Sequence, residues 1–134
     1  VMGVNLKGNF LLTQALLPKM LEEKWGRIMS LSSIRGMRGA KGAIAYSTSK
    51  SALLGMSKTL AMEYGRFNIT SNILSLGYFQ SGLMEKVSTE LQEQMKKEIP
   101  SGKFGDVINI AHAIEFLIKS EYSNGTVINI DGGI

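Results

Sequence analysis

The sequence predicts an α/β fold in which helices pack against a parallel sheet. Segments with apolar residues at helical spacing alternate along the chain with short, largely apolar runs, the kind that form buried parallel strands. This alternation favours a doubly wound sheet joined by right-handed crossovers. Since no linker, repeat or low-complexity segment interrupts residues 1–134, we expect them to belong to one domain.

The first half of the chain is predicted to contain two helices around one strand. Apolar side chains recur at helical spacing over residues 4–24, and a short apolar run at 27–32 predicts a strand. An irregular stretch, 35–44, precedes a second helix over 45–64, which Gly65 can end. Loops at the carboxyl ends of parallel strands commonly hold ligands, so a site is expected beside residues 35–44.

The second half is predicted to supply two further strands and two helices. Residues 69–76 and 126–130 have the pattern of buried strands. A charged amphipathic segment at 83–99 is followed by a better-marked helix at 106–119, for which Asp106 is a candidate N-cap.

Three polar residues outline a site for proton transfer. Tyr46 and Lys50 stand four residues apart at the start of the second predicted helix, which places both side chains on one face. An ammonium beside a phenol oxygen favours the phenolate, which is otherwise scarce at neutral pH. Ser33, at the end of the first strand, could hydrogen-bond a substrate oxygen beside that phenol, although Ser30 and Ser32 could substitute for it. The pattern predicts proton exchange with a carbonyl or alcohol oxygen.

Other short motifs accompany these residues in a characteristic order. They are Val4-Asn5-Leu6-Lys7-Gly8, Gly26-Arg27-Ile28, Asn68-Ile69-Thr70-Ser71-Asn72-Ile73, Leu76-Gly77-Tyr78-Phe79-Gln80-Ser81, Pro100-Ser101-Gly102-Lys103-Phe104-Gly105 and Ile130-Asp131-Gly132-Gly133. Together they resemble the short-chain dehydrogenase/reductase family over essentially the whole chain, most strongly its 3-oxoacyl-acyl-carrier-protein reductases. The tyrosine-to-lysine spacing alone is a weak signal, whereas the ordered set is specific.

The resemblance implies a Rossmann-like sheet and hydride transfer between a nicotinamide coenzyme, NADP or NAD, and a carbonyl or alcohol. Tyr46 would be the general acid and base, Lys50 would favour its ionisation and bind the nicotinamide ribose, and Ser33 would orient the substrate oxygen. Asn5 would hold a water leading from Lys50 towards solvent, or would only satisfy backbone groups. The resemblance assigns the remaining cofactor contacts to Gly77, Phe79 and Ser81.

Two positions depart from the family's usual pattern. Leu76 stands where proline is usual, so the cofactor loop loses a fixed φ and gains a free N–H, which we expect to loosen cofactor binding. Ser81 stands where threonine is usual. Its hydroxyl could contact the nicotinamide or a phosphate, or could instead cap a helix from Leu83 onward.

The beginning of the chain leads us to expect the C-terminal catalytic half of a longer domain. The first residues, Val1-Met2-Gly3-Val4-Asn5, have the pattern of the middle of an amphipathic helix, with no capping residue before it. No Gly-x-Gly-x-x-Gly dinucleotide fingerprint occurs in the sequence. The residues that choose between NADP and NAD would lie in the absent half, so NADP is a preference taken from the family.

Composition argues against several classes of function. The 15 Lys and Arg against 11 Asp and Glu give a net charge of +4, with no basic run long enough to suggest nucleic-acid binding. A basic cluster, Arg35, Arg38 and Lys41, could favour an acidic substrate or carrier protein, or form a solvated loop. The absence of cysteine fits a cytoplasmic protein. No apolar run reaches the roughly 18 residues of a membrane span, and the single histidine, His112, suggests no metal site.

Two interpretations of the chain follow. As an enzyme it would act on a carbonyl substrate, either a small molecule or an acyl chain on a carrier protein. As a non-catalytic fragment it would be an oligomerisation module, because helices 4–24 and 45–66 resemble those that pair subunits in family homodimers and homotetramers. A parallel strand without its neighbour also leaves an exposed edge, which favours assembly.

Overall fold

A three-stranded parallel sheet forms the centre of the computed structural model, which describes residues 1–134. Strands β1 (Gly26–Ser33), β2 (Ile69–Leu76) and β3 (Val127–Ile130) lie side by side in the order β1-β2-β3. The predicted α/β class and all three strands are therefore confirmed, and β2 has the predicted bounds.

Five α-helices pack around this sheet or lie beside it. They are α1 (Asn9–Glu23), α2 (Ile34–Arg38), α3 (Ile44–Tyr64), α4 (Thr89–Glu98) and α5 (Ile108–Lys119). The helix predicted over 45–64 is confirmed as α3. The predicted N-cap of α5, Asp106, lies one residue too early, because Val107 is the N-cap; the Asp106 Oδ1 still accepts a hydrogen bond from the N–H of Ile108, the first residue of α5, at 2.9 Å. None of the helices combines the length and apolar character needed to cross a membrane.

The strand register brings three carboxyl ends to one edge of the sheet. Ser33, the last residue of β1, is paired with Leu76, the last residue of β2. Leu76 is paired on its other side with Ile130, the last residue of β3. Because all three strands end in line, the segments that follow them emerge together, as ligand-binding loops do in open α/β sheets.

The central strand β2 is buried along almost its whole length, because it has a strand on each side and α3 packed against it. Its polar residue Asn72 is 1% exposed and is fully engaged. The Asn72 amide donates to the Ser123 carbonyl at 2.8 Å, and its Oδ1 accepts from the Thr126 N–H at 3.1 Å. These bonds hold the start of β3 beside β2, so this buried amide stabilises the sheet.

The prediction of one continuous helix over 4–24 is wrong at its beginning. Residues Gly3–Gly8 form a π-helix, and the α-helix α1 starts only at Asn9. Single π-helical turns of this kind are frequent at functional sites. The helix ends at Glu23 because Lys24 takes a left-handed conformation, with φ of 51°, and its N–H donates to the Leu21 carbonyl at 3.3 Å.

The stretches 35–44 and 83–99 also differ from prediction. The first is not wholly irregular, since it contains most of α2. The second is not one helix: a 3₁₀ turn at Met84–Lys86 is separated from α4 by the extended residues Val87 and Ser88. The Ser88 hydroxyl accepts a hydrogen bond from the Leu91 N–H at 3.4 Å, so it caps α4 and sets its beginning.

Candidate active site

A cavity of about 580 Å³ lies at the carboxyl edge of the sheet. It is enclosed by the ends of β1 and β2, the first turns of α3 and the segments before α4 and α5. All but one of the predicted site residues line it, the exception being Asn5. The residues brought together are Ser33, Tyr46, Lys50, Gly77, Phe79 and Ser81.

Lys50 is anchored between β1 and the phenol of Tyr46. Its Nζ donates a hydrogen bond to the Leu31 carbonyl at 2.8 Å. The same Nζ lies 5.9 Å from the centroid of the Tyr46 ring, one helical turn away on α3. At this distance a cation is attracted to an aromatic face. Strand and helix together therefore hold a positive charge over the Tyr46 ring.

Ser33 combines a capping role with access to the cavity. Its hydroxyl accepts a hydrogen bond from the Arg35 N–H at 3.2 Å and so caps α2. A serine hydroxyl that accepts one bond still has a proton to donate. Ser32, by contrast, is 3% exposed and donates to the Lys50 carbonyl at 3.0 Å, and Ser30 lies outside this cavity. Ser33 is thus the serine with a hydroxyl available there.

Asn5 reaches the site only through an intermediate side chain. Its amide donates to the Ser49 hydroxyl at 3.1 Å, and that hydroxyl donates to the Tyr46 carbonyl at 2.7 Å. Ser49 is fully buried. The π-helix is thereby tied to the turn of α3 between Tyr46 and Lys50. Ser49 was not among the predicted site residues. The sequence did contain an indication of its role, since it is a small polar residue three positions after the tyrosine, on the buried side of the helix.

Gly77 lies where two backbones come close together. A Cβ at this position would be 2.7 Å from the Cα of Asp131, a distance that real Cβ atoms do not tolerate. The Gly77 N–H also donates to the Ile130 carbonyl at 2.9 Å. The end of β3 therefore requires glycine here, independently of any ligand.

The segment after Gly77 is held by the chain before α5. Phe79 pairs with Gly105 in an isolated parallel bridge, and the Gln80 N–H donates to the Gly105 carbonyl at 2.9 Å. Leu76, predicted to loosen this loop, belongs to β2 and has a strand partner on each side.

Ser81 is exposed at the rim of the cavity. Its carbonyl accepts the Met84 N–H at 2.8 Å, but its hydroxyl makes no hydrogen bond within the protein. The alternative that Ser81 caps a helix is therefore wrong, because α4 begins at Thr89 under the Ser88 cap. The Ser81 hydroxyl remains open to a ligand.

The remaining wall of the cavity is largely apolar. Its side chains come from the segments around α4 and α5 and include Leu83, Met84, Val87, Met95, Val107 and Ile110. Apolar walls displace water and take up the carbon skeleton of a ligand, while a few polar groups orient it. Polar and apolar sides of the site thus face each other across the cavity.

Fold and site together define a Rossmann-like α/β protein in which a serine, a tyrosine and a lysine line one cavity at the strand ends. A family model described as Enoyl-(Acyl carrier protein) reductase matches residues 1–134. The 3-oxoacyl-acyl-carrier-protein reductase of Aquifex aeolicus (strain VF5) is 38% identical over 136 residues, which is 100% of this chain and 55% of that protein. The corresponding reductase of Homo sapiens is 37% identical, over 97% of this chain and 54% of its own length. The chain belongs to the short-chain dehydrogenase/reductase family.

Solved structures agree with this assignment. A 3-oxoacyl-acyl-carrier-protein reductase from Brucella melitensis ATCC 23457 superposes with a TM-score of 0.92 at 28% identity, covering 97% of this chain and 50% of that one. An Agrobacterium tumefaciens structure with bound NADP, provisionally assigned as a 2-deoxy-D-gluconate 3-dehydrogenase, has a TM-score of 0.92 at 30% identity, with coverages of 99% and 56%. The chain spans about half the length of the relatives it matches, so its sheet is an incomplete version of theirs.

Proposed function

We propose that the full-length gene product is a nicotinamide-dependent oxidoreductase that interconverts a carbonyl and an alcohol. The observation that supports this most directly is the convergence of Ser33, Tyr46 and Lys50 on one cavity at the carboxyl edge of the sheet. A hydroxyl, a phenol and an ammonium at one surface can orient a carbonyl oxygen and supply it with a proton.

In the direction of reduction, Tyr46 is the general acid. Its phenol proton passes to the substrate oxygen as a hydride reaches the carbonyl carbon, and the alcohol forms while the tyrosine is left as phenolate. Lys50 stabilises that phenolate from its anchored position beside the ring, and Ser33 holds the same oxygen by donating a hydrogen bond. The reverse reaction uses the phenolate as base.

The coenzyme proposed is NADP, with NAD as the alternative. It supplies the hydride when bound. The groups that would contact it are Tyr46, Lys50, Gly77, Phe79 and Ser81. The open hydroxyl of Ser81 and the anchored ammonium of Lys50 fit such a ligand. NADP is preferred because the Agrobacterium relative holds it.

Asn5 and Ser49 are proposed to support the proton donor. Asn5 does not line the cavity, so a direct part in proton transfer has no geometric support. The chain of hydrogen bonds from Asn5 through Ser49 to the Tyr46 carbonyl instead fixes the turn that carries the phenol. Fixing a catalytic group in this way lowers the cost of reaching the reactive geometry.

The first substrate to test is a 3-oxoacyl thioester, small or on a carrier protein. It is suggested by the names of the Aquifex and human relatives. The apolar wall opposite the polar groups is suited to an acyl chain.

The decisive experiment replaces Tyr46 by Phe in the full-length gene product. Turnover should fall by about 10²-fold or more, the range expected for loss of a general acid, while thermal stability is retained. Tyr122→Phe is the matched control, because Tyr122 is 99% exposed and lies away from the cavity. Near-normal carbonyl reduction by the Tyr46 variant would remove this residue from the mechanism.

A second candidate function is self-association, for the chain on its own. Helix α1 has no buried residue, and its exposed apolar side chains include Phe10, Leu11, Leu12 and Leu16. Together with α3 it borders a groove of about 470 Å³. Large apolar surfaces of this kind commonly mark interfaces, and a homodimer or homotetramer through these helices is proposed. Sedimentation at several concentrations tests it, and a monomer throughout would refute it.

Calorimetry separates the two candidates for the 134-residue chain itself. The chain contains no Gly-x-Gly-x-x-Gly segment to hold a pyrophosphate, so titration with NADPH should give no binding heat. The full-length gene product should bind. NADPH binding by the 134-residue chain would show that the platform around Gly77 suffices and would count against a purely associative role.

A further inference from the structure

The cavity has two positive charges and no negative one. Its only charged lining residues are Arg35 and Lys50. Lys50 is engaged with the Leu31 carbonyl. The guanidinium of Arg35 forms no hydrogen bond or ion pair within the protein, and only its backbone is engaged, by Ser33 Oγ and Gly39. The Arg35 guanidinium, with its five N–H donors, therefore borders the site without a protein partner.

The short helix that carries Arg35 is held in place on several sides. Ser33 caps its first turn. A Cβ on Gly36 would lie 2.7 Å from the Cβ of Lys50, so α2 and α3 are in direct contact at this point. The Ser51 hydroxyl also donates a hydrogen bond to the Gly36 carbonyl. Arg35 is thus presented from a fixed backbone, which is how proteins position groups that select ligands.

A guanidinium matches the two oxygens of a carboxylate, and such charge-assisted pairs are about twice as strong as neutral hydrogen bonds. Arg35 is exposed and no carboxylate of the protein lines the cavity, so its guanidinium is free to pair with an anionic ligand. We propose that Arg35 is a specificity-determining residue that selects substrates bearing a carboxylate near the reacting carbonyl. This inference rests on the proposed oxidoreductase function of the same site.

The oxyanion that Arg35 binds could come from the substrate or from a coenzyme phosphate. The position of Arg35 in the site favours the substrate as the source of this oxyanion. Arg35 stands two residues after Ser33, which is proposed to hold the substrate oxygen, and its N–H bonds that same hydroxyl. The segment proposed for the coenzyme, residues 77–81, follows a different strand. An acyl thioester carries no charge beside its carbonyl. Replacing Arg35 should therefore impair the reduction of substrates that bear a carboxylate and leave the reduction of acyl thioesters unchanged.

The test uses the full-length gene product with NADPH and matched pairs of substrates. Acetoacetate and levulinate place a carboxylate at two distances from the ketone, and their methyl esters lack the charge. Arg35→Gln should lower kcat/KM by about 10- to 100-fold for whichever of the two acids the wild type reduces more efficiently, the effect of losing one charge-assisted hydrogen bond. For the methyl ester of that acid, kcat/KM should change by less than about threefold. Arg38→Gln is the control, because it lies on the same helix but not in the cavity, and it should change neither.

A second measurement separates binding from turnover. Malonate, which has no reducible group, should inhibit the wild type competitively against the ketone substrate, and Arg35→Gln should lose that inhibition. Equal losses for acid and ester, or a rise confined to the KM for NADPH, would overturn the proposal in favour of a structural or coenzyme role. Reduction of the acid with no dependence on Arg35 would refute this inference alone. A wild type that reduces neither ketones nor 3-oxoacyl thioesters would refute the proposed function itself.

Discussion

Removing one buried hydroxyl should weaken the support of the proton donor. Ser49 accepts from the Asn5 amide at 3.1 Å and donates to the Tyr46 carbonyl at 2.7 Å, and it is fully buried. In Ser49→Ala both hydrogen bonds disappear and the Asn5 amide loses its acceptor. The turn of α3 that carries Tyr46 is then tied to the π-helix only by packing.

The expected magnitude follows from the two bonds. An intramolecular hydrogen bond contributes about 1 kcal/mol, so their loss should lower the free energy of unfolding by about 1–3 kcal/mol. Ser47, two residues earlier on α3, gives a matched control because its buried hydroxyl has no partner. Ser47→Ala removes an unsatisfied group and should be neutral or slightly stabilising.

The assay is urea unfolding of the full-length gene product and its two variants, followed by steady-state kinetics. Ser49→Ala should lower both the unfolding midpoint and kcat, since the phenol is less well positioned. An Asn5→Ala, Ser49→Ala double variant should lose less than the sum of the single losses, because the two residues share one hydrogen bond. Additive losses, or equal stability of the Ser49 and Ser47 variants, would refute this reasoning.

Two further predictions concern the cofactor loop and the charged helix. Gly77→Ala would place a Cβ 2.7 Å from the backbone of Asp131, so we expect a loss of about 1–3 kcal/mol in stability and a higher KM for NADPH. Gly82→Ala, with nothing within 4 Å of its Cβ, should change neither quantity, and an equal effect of both variants would contradict the close-contact explanation. The Lys96 ammonium, which donates a hydrogen bond to Glu93 at 2.8 Å, lowers the pKa of that exposed carboxyl. The pair therefore stabilises the fold above the ordinary glutamate pKa and loses this effect as the pH falls through the lowered value. An NMR titration should show the Glu93 pKa rising in Lys96→Gln, and an unchanged pKa would exclude this pair as the cause.

Long, regular elements could be predicted from sequence because their patterns repeat. The bounds predicted for strand β2 are the observed ones, since its apolar residues Ile69, Ile73, Leu74 and Leu76 lie between Asn68 and Gly77 with only uncharged polar residues among them. Helix α3 was placed within one residue at its beginning and correctly at its end. In α3 a helical repeat, and in β2 a continuous buried run, is carried by many residues, so single exceptions do not obscure either pattern.

Short elements could not be predicted from sequence, because they contain too few residues to show a repeating pattern. Helix α2 has five residues, too few to show a period, and it depends on Ser33 and on contact with α3. The charged segment over 83–99 has helical spacing throughout, but Ser88 captures the Leu91 N–H and restarts the helix. Side-chain to backbone hydrogen bonds of this kind compete with the regular pattern and are decided locally.

The sequence by itself determined the parallel α/β class, the family, and the membership of Ser33, Tyr46 and Lys50 in one site, because these depend on spacing along elements and on their order. Only the tertiary structure decided that Ser33, rather than Ser32, has a hydroxyl proton available to the cavity, that Asn5 contacts α3 through Ser49, and that Arg35 borders the cavity without a partner. The physical reason is that hydrogen-bond partners and unpaired charges depend on contacts between residues far apart in sequence. Such contacts have no period that a linear pattern can reveal.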